Sequence, residues 1–414
     1  MAESGRDGVA GAARQFARRY RVVLLSIVFS VIGIVTGVTT ANAILGGASL
    51  ADGAMILASA AVACAVSLVH TRHLGLAFLT AAAPLPGLAW AAPMSGEAAF
   101  GIVPVLAYVF AYGVAVMLAH NILGGALDGG SSGHPLKPVA AAAGLTASLA
   151  LLWFWGTISG EPGFQAVLDV ALAAASSLII MPIGESVLNF DEAFVGAANR
   201  ARERRQRRLE KLGMVAVPRW GMSVSGIAAI FVALAWFGAE PSFSLVHLVN
   251  APLKFAVSLV VTLGLALSVC GGWREGFAAT VAAGLAGLVT LWGFAVVGQM
   301  TANSPVGVLE IVSLAGFLAF CGAGRAAAFR RLGDEASIAR LRAVEDLGGP
   351  QFYAILGGIG ALLPSVILHP AFAPFVAGLA FAGAGALAFA PALATACELL
   401  LPRRRSVEEM YGRR

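Results

Sequence analysis

The chain has 414 residues, of which 59% are hydrophobic and 12% charged, and its formal net charge is +5. So few charges cannot cover a water-facing surface of this size, which excludes a soluble globular protein and points to a membrane bundle. The basic residues are gathered in short clusters between apolar runs, which makes them a topology signal.

In chain order, a basic N-terminus at 1–21 precedes apolar windows long enough to cross a bilayer at 22–40, 54–70, 74–92, 100–119, 136–158 and 163–187. A second series follows at 218–237, 252–272, 276–297, 306–324, 351–369 and 373–400. This predicts an all-α integral membrane protein of twelve transmembrane helices in two pseudo-symmetric six-helix halves, 22–190 and 218–401, with both termini cytoplasmic. On that topology every Lys and Arg except Lys254 falls on the inner side, and a miscounted span would scramble the segregation. Thr39-Thr40-Ala41-Asn42-Ala43 also has the form of a signal-peptide cleavage site, and cleavage there would leave all later spans in place.

Between the halves lies a basic cytoplasmic linker, 191–217, whose run RARERRQRRLEKLG at 200–213 places Glu203 and Arg207 at helical spacing. With no interleaved aromatics it reads as an inner-surface helix touching anionic headgroups, and no nucleic-acid partner is expected. The segment GDEASIARLRAVEDLGG at 333–349 reads as a second, shorter cytoplasmic surface helix, with Ile338 and Leu341 on one side and Arg342 within reach of Glu345 and Asp346. A basic tail, 402–414, closes the chain. The outward connections 41–53, 93–99, 159–162, 238–251, 298–305 and 370–372 are all too short to hold a folded domain. Cys64, Cys270, Cys321 and Cys397 lie in spans or at their inner ends, which argues against disulfides and a four-ligand zinc site.

The halves resemble each other where their second and third spans meet. SLVHTRHLGLAFLTAAAPLPGLAW at 67–90 and SVCGGWREGFAATVAAGLAGLVTLW at 268–292 each have an apolar run, a short turn with one Arg (Arg72, Arg274) and a second apolar run with a late Trp. The second of these, with its continuation GGWREGFAATVAAGLAGLVTLWGFAVVG at 271–298, resembles the Arg-containing turn and following span of the resistance-nodulation-division (RND) superfamily, and of its MMPL and hopanoid-exporter-like members in particular. AAFRRLGDEASIARLRAVEDLGGPQFYAILGGIGALLPSVIL at 327–368 is similar to that family's inner-surface helix and eleventh span. AGALAFAPALATACELLLPRRR at 384–405 is similar to its closing span.

Two departures from the family stand out. The large periplasmic domains that follow its first and seventh spans have no counterpart in the short connections 41–53 and 238–251. The resemblance also implies proton-relay Asp residues in the fourth and tenth spans, but the matching positions are Ala111, in VFAYGVAVMLAH, and Cys321, and neither is acidic.

Charged groups inside spans are costly and therefore worth weighing one by one. Glu310 lies one turn into the tenth span and shares a helical stripe with Leu314, Phe317 and Cys321, about 16 Å further out than the family's acidic position. Asp169 and Lys254 lie near the outer ends of their spans. All three can snorkel to the outer interface or neutralise one another, or Glu310 can pair with Lys254 in a central polar cavity, the candidate transport site. His120, beside Asn121, marks the inner interface, and Glu185, Asp191 and Glu192 offset the basic run after them. No phosphate loop, nucleophile elbow or zinc signature is present in the sequence, so neither an enzyme nor a cofactor is expected.

The resemblance thus implies a bacterial inner-membrane, multi-pass protein that transports or handles a lipid-like substrate such as a hopanoid, carotenoid or other envelope lipid. Membrane lipids are its expected partners, together with a protein that supplies periplasmic domains; a homo-oligomer is left open. The alternative is a non-transporting scaffold or lipid-sensing subunit that has lost the proton couple. A major-facilitator carrier has the same six-plus-six plan, but HTRHLG lacks the acidic and basic signature expected between its second and third spans.

Overall fold

The computed structural model describes residues 50–89, 102–124, 164–189, 191–212, 273–296, 305–331, 334–391 and 394. Every element among them is helical. In chain order these are α1 (Leu50–Thr71), α2 (Leu74–Ala82), α3 (Ile102–Gly124), α4 (Phe164–Leu188), α5 (Glu192–Leu212), α6 (Trp273–Val296), α7 (Pro305–Arg331), α8 (Ala336–Leu368) and α9 (Ala373–Ala384). A 3₁₀ turn, Pro370–Phe372, joins α8 to α9, and a π-helical turn, Gly385–Phe389, extends α9.

Among the described residues seven helices are long and apolar enough to cross a membrane: α1, α3, α4, α6, α7, α8 and the α9 unit. They coincide with the second, fourth, sixth, ninth, tenth, eleventh and twelfth expected spans. The third expected span is the shorter α2, which turns at Ala83-Pro84 and resumes helix over 85–89. The expected spans at 22–40, 136–158, 218–237 and 252–272, with Lys254, lie outside the described residues. Large apolar side chains such as Leu57, Val69, Phe78, Ile179, Phe277, Leu356 and Ile367 are exposed on helix faces, the arrangement a lipid-facing surface requires.

Local chemistry sets the element ends. Arg72 adopts φ 53°, a left-handed conformation uncommon for a non-glycine residue, and its N–H still closes α1 by donating to the Leu68 carbonyl. The reversal is completed by His73, whose Nδ1 accepts the Leu76 N–H at 3.2 Å and so caps α2. Asp191 caps α5 by accepting the Ala193 N–H at 3.1 Å, with Glu192 in the first turn and Lys211 in the last, both favourable to the helix dipole. Arg274 differs from its counterpart Arg72: it sits in the first turn of helix α6.

The expected surface helix at 333–349 and the eleventh span form a single helix, α8, of 33 residues. At 1.5 Å per residue it is about 50 Å long, well beyond a hydrocarbon core of about 30 Å. Its first half is held against protein, with Ala339, Arg340, Ala343, Asp346, Leu347, Pro350 and Gln351 in a buried stripe. Pro350, which has no N–H to give to the Asp346 carbonyl, is carried within the helix.

α3 is the most enclosed span, and α8 packs beside it, against both α1 and α3. Elsewhere α6 lies on α7, and α3 on α4. Where the 85–89 turn crosses α4, a Cβ on Gly87 would stand 2.1 Å from the Leu172 carbonyl oxygen and 2.6 Å from the Ala173 Cα. Backbone cannot yield as a side chain can, so Gly87→Ala is expected to cost about 1–3 kcal/mol. Gly284→Ala in α6, where nothing lies within 4 Å of the added methyl, should leave stability unchanged or raise it. Thermal unfolding of the two variants in detergent checks this.

Candidate functional site

Glu310 stands in the second turn of α7, which Pro305 opens. It is 1% exposed, and neither carboxyl oxygen has a hydrogen-bond partner among the described residues. Asp169, in the first turns of α4, is 3% exposed and close enough to act on Glu310 through its charge. Neither carboxyl snorkels to the surface. One turn further along α7, the buried Ser313 hydroxyl also lacks a partner among the described residues. The structure therefore brings together two of the three candidate transport residues, Glu310 and Asp169, from different halves of the chain. The Glu310 to Lys254 pairing falls outside the described residues, because Lys254 does.

The stripe expected below Glu310 is real and is plugged with apolar groups. Leu314 reaches Gly113 of α3, where an added Cβ would meet Leu314 Cδ1 at 2.7 Å, and the Phe317 ring lies 5.8 Å from that of Phe110. Cys321 follows as a half-buried free thiol. Ala111 is fully buried, and its carbonyl accepts a hydrogen bond from the Ser177 hydroxyl of α4 at 3.3 Å. Neither relay position offers a charge. The buried polar groups at this depth are instead phenols: Tyr112 Oη lies 2.8 Å from Ser67 Oγ, and Tyr108 donates to the Ala81 carbonyl at 2.9 Å.

At the basic end a second cluster forms around Asp346 of α8, whose side chain is fully enclosed. Arg205 of the linker helix α5 donates to both carboxyl oxygens through Nε and Nη2. Arg325 Nε of α7 lies 2.9 Å away, and His120 Nε2 of α3 lies 3.4 Å away. Arg325 also donates to Asn121 Oδ1 at 3.2 Å, and the His120 ring neighbours that of His70, which lies against Tyr353.

This cluster corrects two expectations. Arg342 bonds to Asp334, at 2.8 and 2.6 Å, and not to Glu345 or Asp346. Arg205 is buried on protein rather than presented to headgroups. The exposed pair of Glu203 and Arg207, 3.9 Å apart, is present as expected. His120 is an arm of this network, and among the described residues no group of side chains suits a metal ion. Asp191, expected to offset the basic run, caps α5 and lies 3.5 Å from His73. The one sequence signal for the network was the position of Asp346 on the apolar stripe of its helix.

Between α6, α7, α8 and the α9 unit runs a partly open cleft walled by small residues, among them Ala282, Gly322, Ala323 and Ala386, with Arg340 and Gln351 in its lining. Gln351 donates to the Leu318 carbonyl at 2.7 Å.

No family model and no curated protein matches the sequence. Among solved structures the chain is similar to SecDF, in a crystal structure described as its super-membrane-facing form. The match has a TM-score of 0.52 at 13% identity and covers 84% of this chain and 61% of that one. The chain thus has a membrane fold similar to that of SecDF, while spanning about three-fifths of the SecDF chain.

A buried carboxyl with no hydrogen bonds beside another carboxyl destabilises the fold that holds it. Glu310→Gln should therefore leave thermal stability in detergent unchanged or raise it by about 1–2 kcal/mol. A clear loss in Glu310→Gln would show that the carboxyl has a bonding partner in the fold.

Proposed function

We propose that this is an inner-membrane transport protein of RND-like fold that moves or handles a lipid-like hydrophobic substrate, with Glu310 and Asp169 as its ionisable couple. The observation that carries this reading is the buried carboxyl pair contributed by both halves of the bundle. Two buried carboxyls within electrostatic range of each other form a site for a small cation, the simplest being a proton taken up by one of them. The pair stands where the family's relay does not, since Ala111 and Cys321 are not acidic. The lipid-like substrate is taken from the resemblance of 271–298, 327–368 and 384–405 to exporters of envelope lipids. With short outward connections, a partner chain supplies any extracytoplasmic passage, and no covalent chemistry is assigned to the protein.

A second reading has its own support. The apolar packing of Ala111 under Ser177 and of Phe317 on Phe110 suits a scaffold or lipid-sensing subunit that keeps the fold without the ion couple.

Reconstitution separates the two. The lipid that co-purifies with the protein, identified by mass spectrometry, is loaded into proteoliposomes, and its movement between leaflets is followed under an imposed pH gradient or membrane potential. The transport reading expects movement that depends on the gradient and falls to the protein-free background in Glu310→Gln. Wild-type movement in that variant removes Glu310 from the mechanism. No movement, together with a stoichiometric protein partner, establishes the scaffold.

A further inference from the structure

The charged cluster at the basic end ties the two halves of the chain to each other. Asp346 and Arg325 come from helices of the second half, α8 and α7, whereas His120 and Asn121 come from α3 of the first half and Arg205 from the linker helix α5. Three of its contacts cross that boundary: Arg205 to Asp346, His120 to Asp346, and Arg325 to Asn121. The other well-formed ion pairs at this end, Arg330 with Glu275 and Arg342 with Asp334, each lie within the second half. Arg208 and Glu345 also face each other across the boundary, but both are exposed and 3.9 Å apart, so that pair adds little.

The cluster is arranged so that the boundary can part without stranding a charge. A buried carboxylate that lost every partner would be strongly destabilising. Asp346, however, has Arg325 at 2.9 Å on its own side, and that neutral pair can move as one piece. Arg205 would be left on a linker helix whose neighbouring residues Arg204, Gln206, Arg207 and Arg208 are already exposed, so its guanidinium could enter water. Beneath the cluster the halves meet through glycine: Gly357, Gly358 and Gly360 of α8 lie on Tyr112, Val109 and Val62.

We propose that Asp346 is a latch that holds the two halves together at the basic end, and that this end opens when Arg205 and His120 release the carboxylate while Arg325 retains it. The inference takes from the transport reading only the reason why the end should open. Its readout is accessibility, so its failure and the failure of the transport reading are separate results.

The test uses the full chain in membrane vesicles with the basic face outward, with Cys64, Cys270 and Cys397 replaced by Ser. Cys321, one turn before Arg325 on α7, is left as the reporter. A membrane-impermeant maleimide is applied and the labelling rate measured. Asp346→Asn is expected to speed labelling about tenfold or more, since it leaves two guanidiniums facing each other without their counter-ion. Arg205→Gln, which leaves Asp346 with Arg325 and His120, should give part of that increase. Glu275→Gln, which breaks a pair inside one half, should keep the starting rate. If Asp346→Asn does not reach the membrane fraction, Arg205→Gln decides the matter. Unchanged labelling in Arg205→Gln, an equal rise in Glu275→Gln, or a rise seen only from the opposite face overturns the latch.

Discussion

The contact on which the rest depends is the one between α3 and α8. Lipid gives helices no hydrophobic reason to associate, so they must meet through close packing and satisfied polar groups. Here α8 presents Gly357, where a Cβ would fall 2.3 Å from Tyr112 Oη, and Gly358, where one would fall 2.7 Å from Val109 Cγ1. With its ring seated there, Tyr112 reaches Ser67 and the Ala63 carbonyl and so fastens α1 to the same seam. The three helices form the frame. α7 is laid against α3 through Leu314 and Phe317, and that placement sets Glu310 beside Asp169.

The two ends of this frame treat buried charge in opposite ways. At the basic end Asp346 has three cationic or histidine partners and both oxygens engaged. At the opposite end, Glu310 has no hydrogen bond among the described residues and a carboxyl within electrostatic range. A satisfied buried charge specifies structure, whereas an unsatisfied one weakens the fold and is kept where something must bind. The contrast separates an acid that fastens helices from an acid left without a hydrogen bond, although both lie inside one bundle.

Much of the helical architecture was legible in the sequence because the bilayer writes it plainly: windows of about twenty apolar residues bound α1, α3, α4, α6 and α7 closely. The stripe of Glu310, Leu314, Phe317 and Cys321 was legible for the same reason, since helical period fixes which residues share a face. The continuity of α8 was not, because charges at 334–346 look like an end of the membrane, whereas two of them, Arg340 and Asp346, lie on the protein-facing stripe of a longer helix. Nor were the partners of Asp346. Arg342 is four residues away and satisfies every local rule, while Arg205 is 141 residues away in sequence and its pairing depends on how the linker helix docks. Burial of Arg205 was hidden inside a run of exposed arginines, distinguished from them only by which way α5 faces.

The absence of an acid at Ala111 and Cys321 can be understood from the same frame. Ala111 gives its carbonyl to Ser177 and is fully enclosed between α3 and α4, so a carboxylate there would displace packing that the α3 to α4 contact uses. Ser177 lies two turns from Asp169 on one face of α4, with Ala173 between them. The face of α4 that packs against Ala111 therefore leads, along one helix, to the buried acid Asp169. Holding Asp169 and Glu310 within electrostatic range needs no acid at Ala111 or Cys321. It needs only that α4 and α7 keep their acidic turns opposite one another, and the packing of Leu314 and Phe317 against α3 holds α7 in that register.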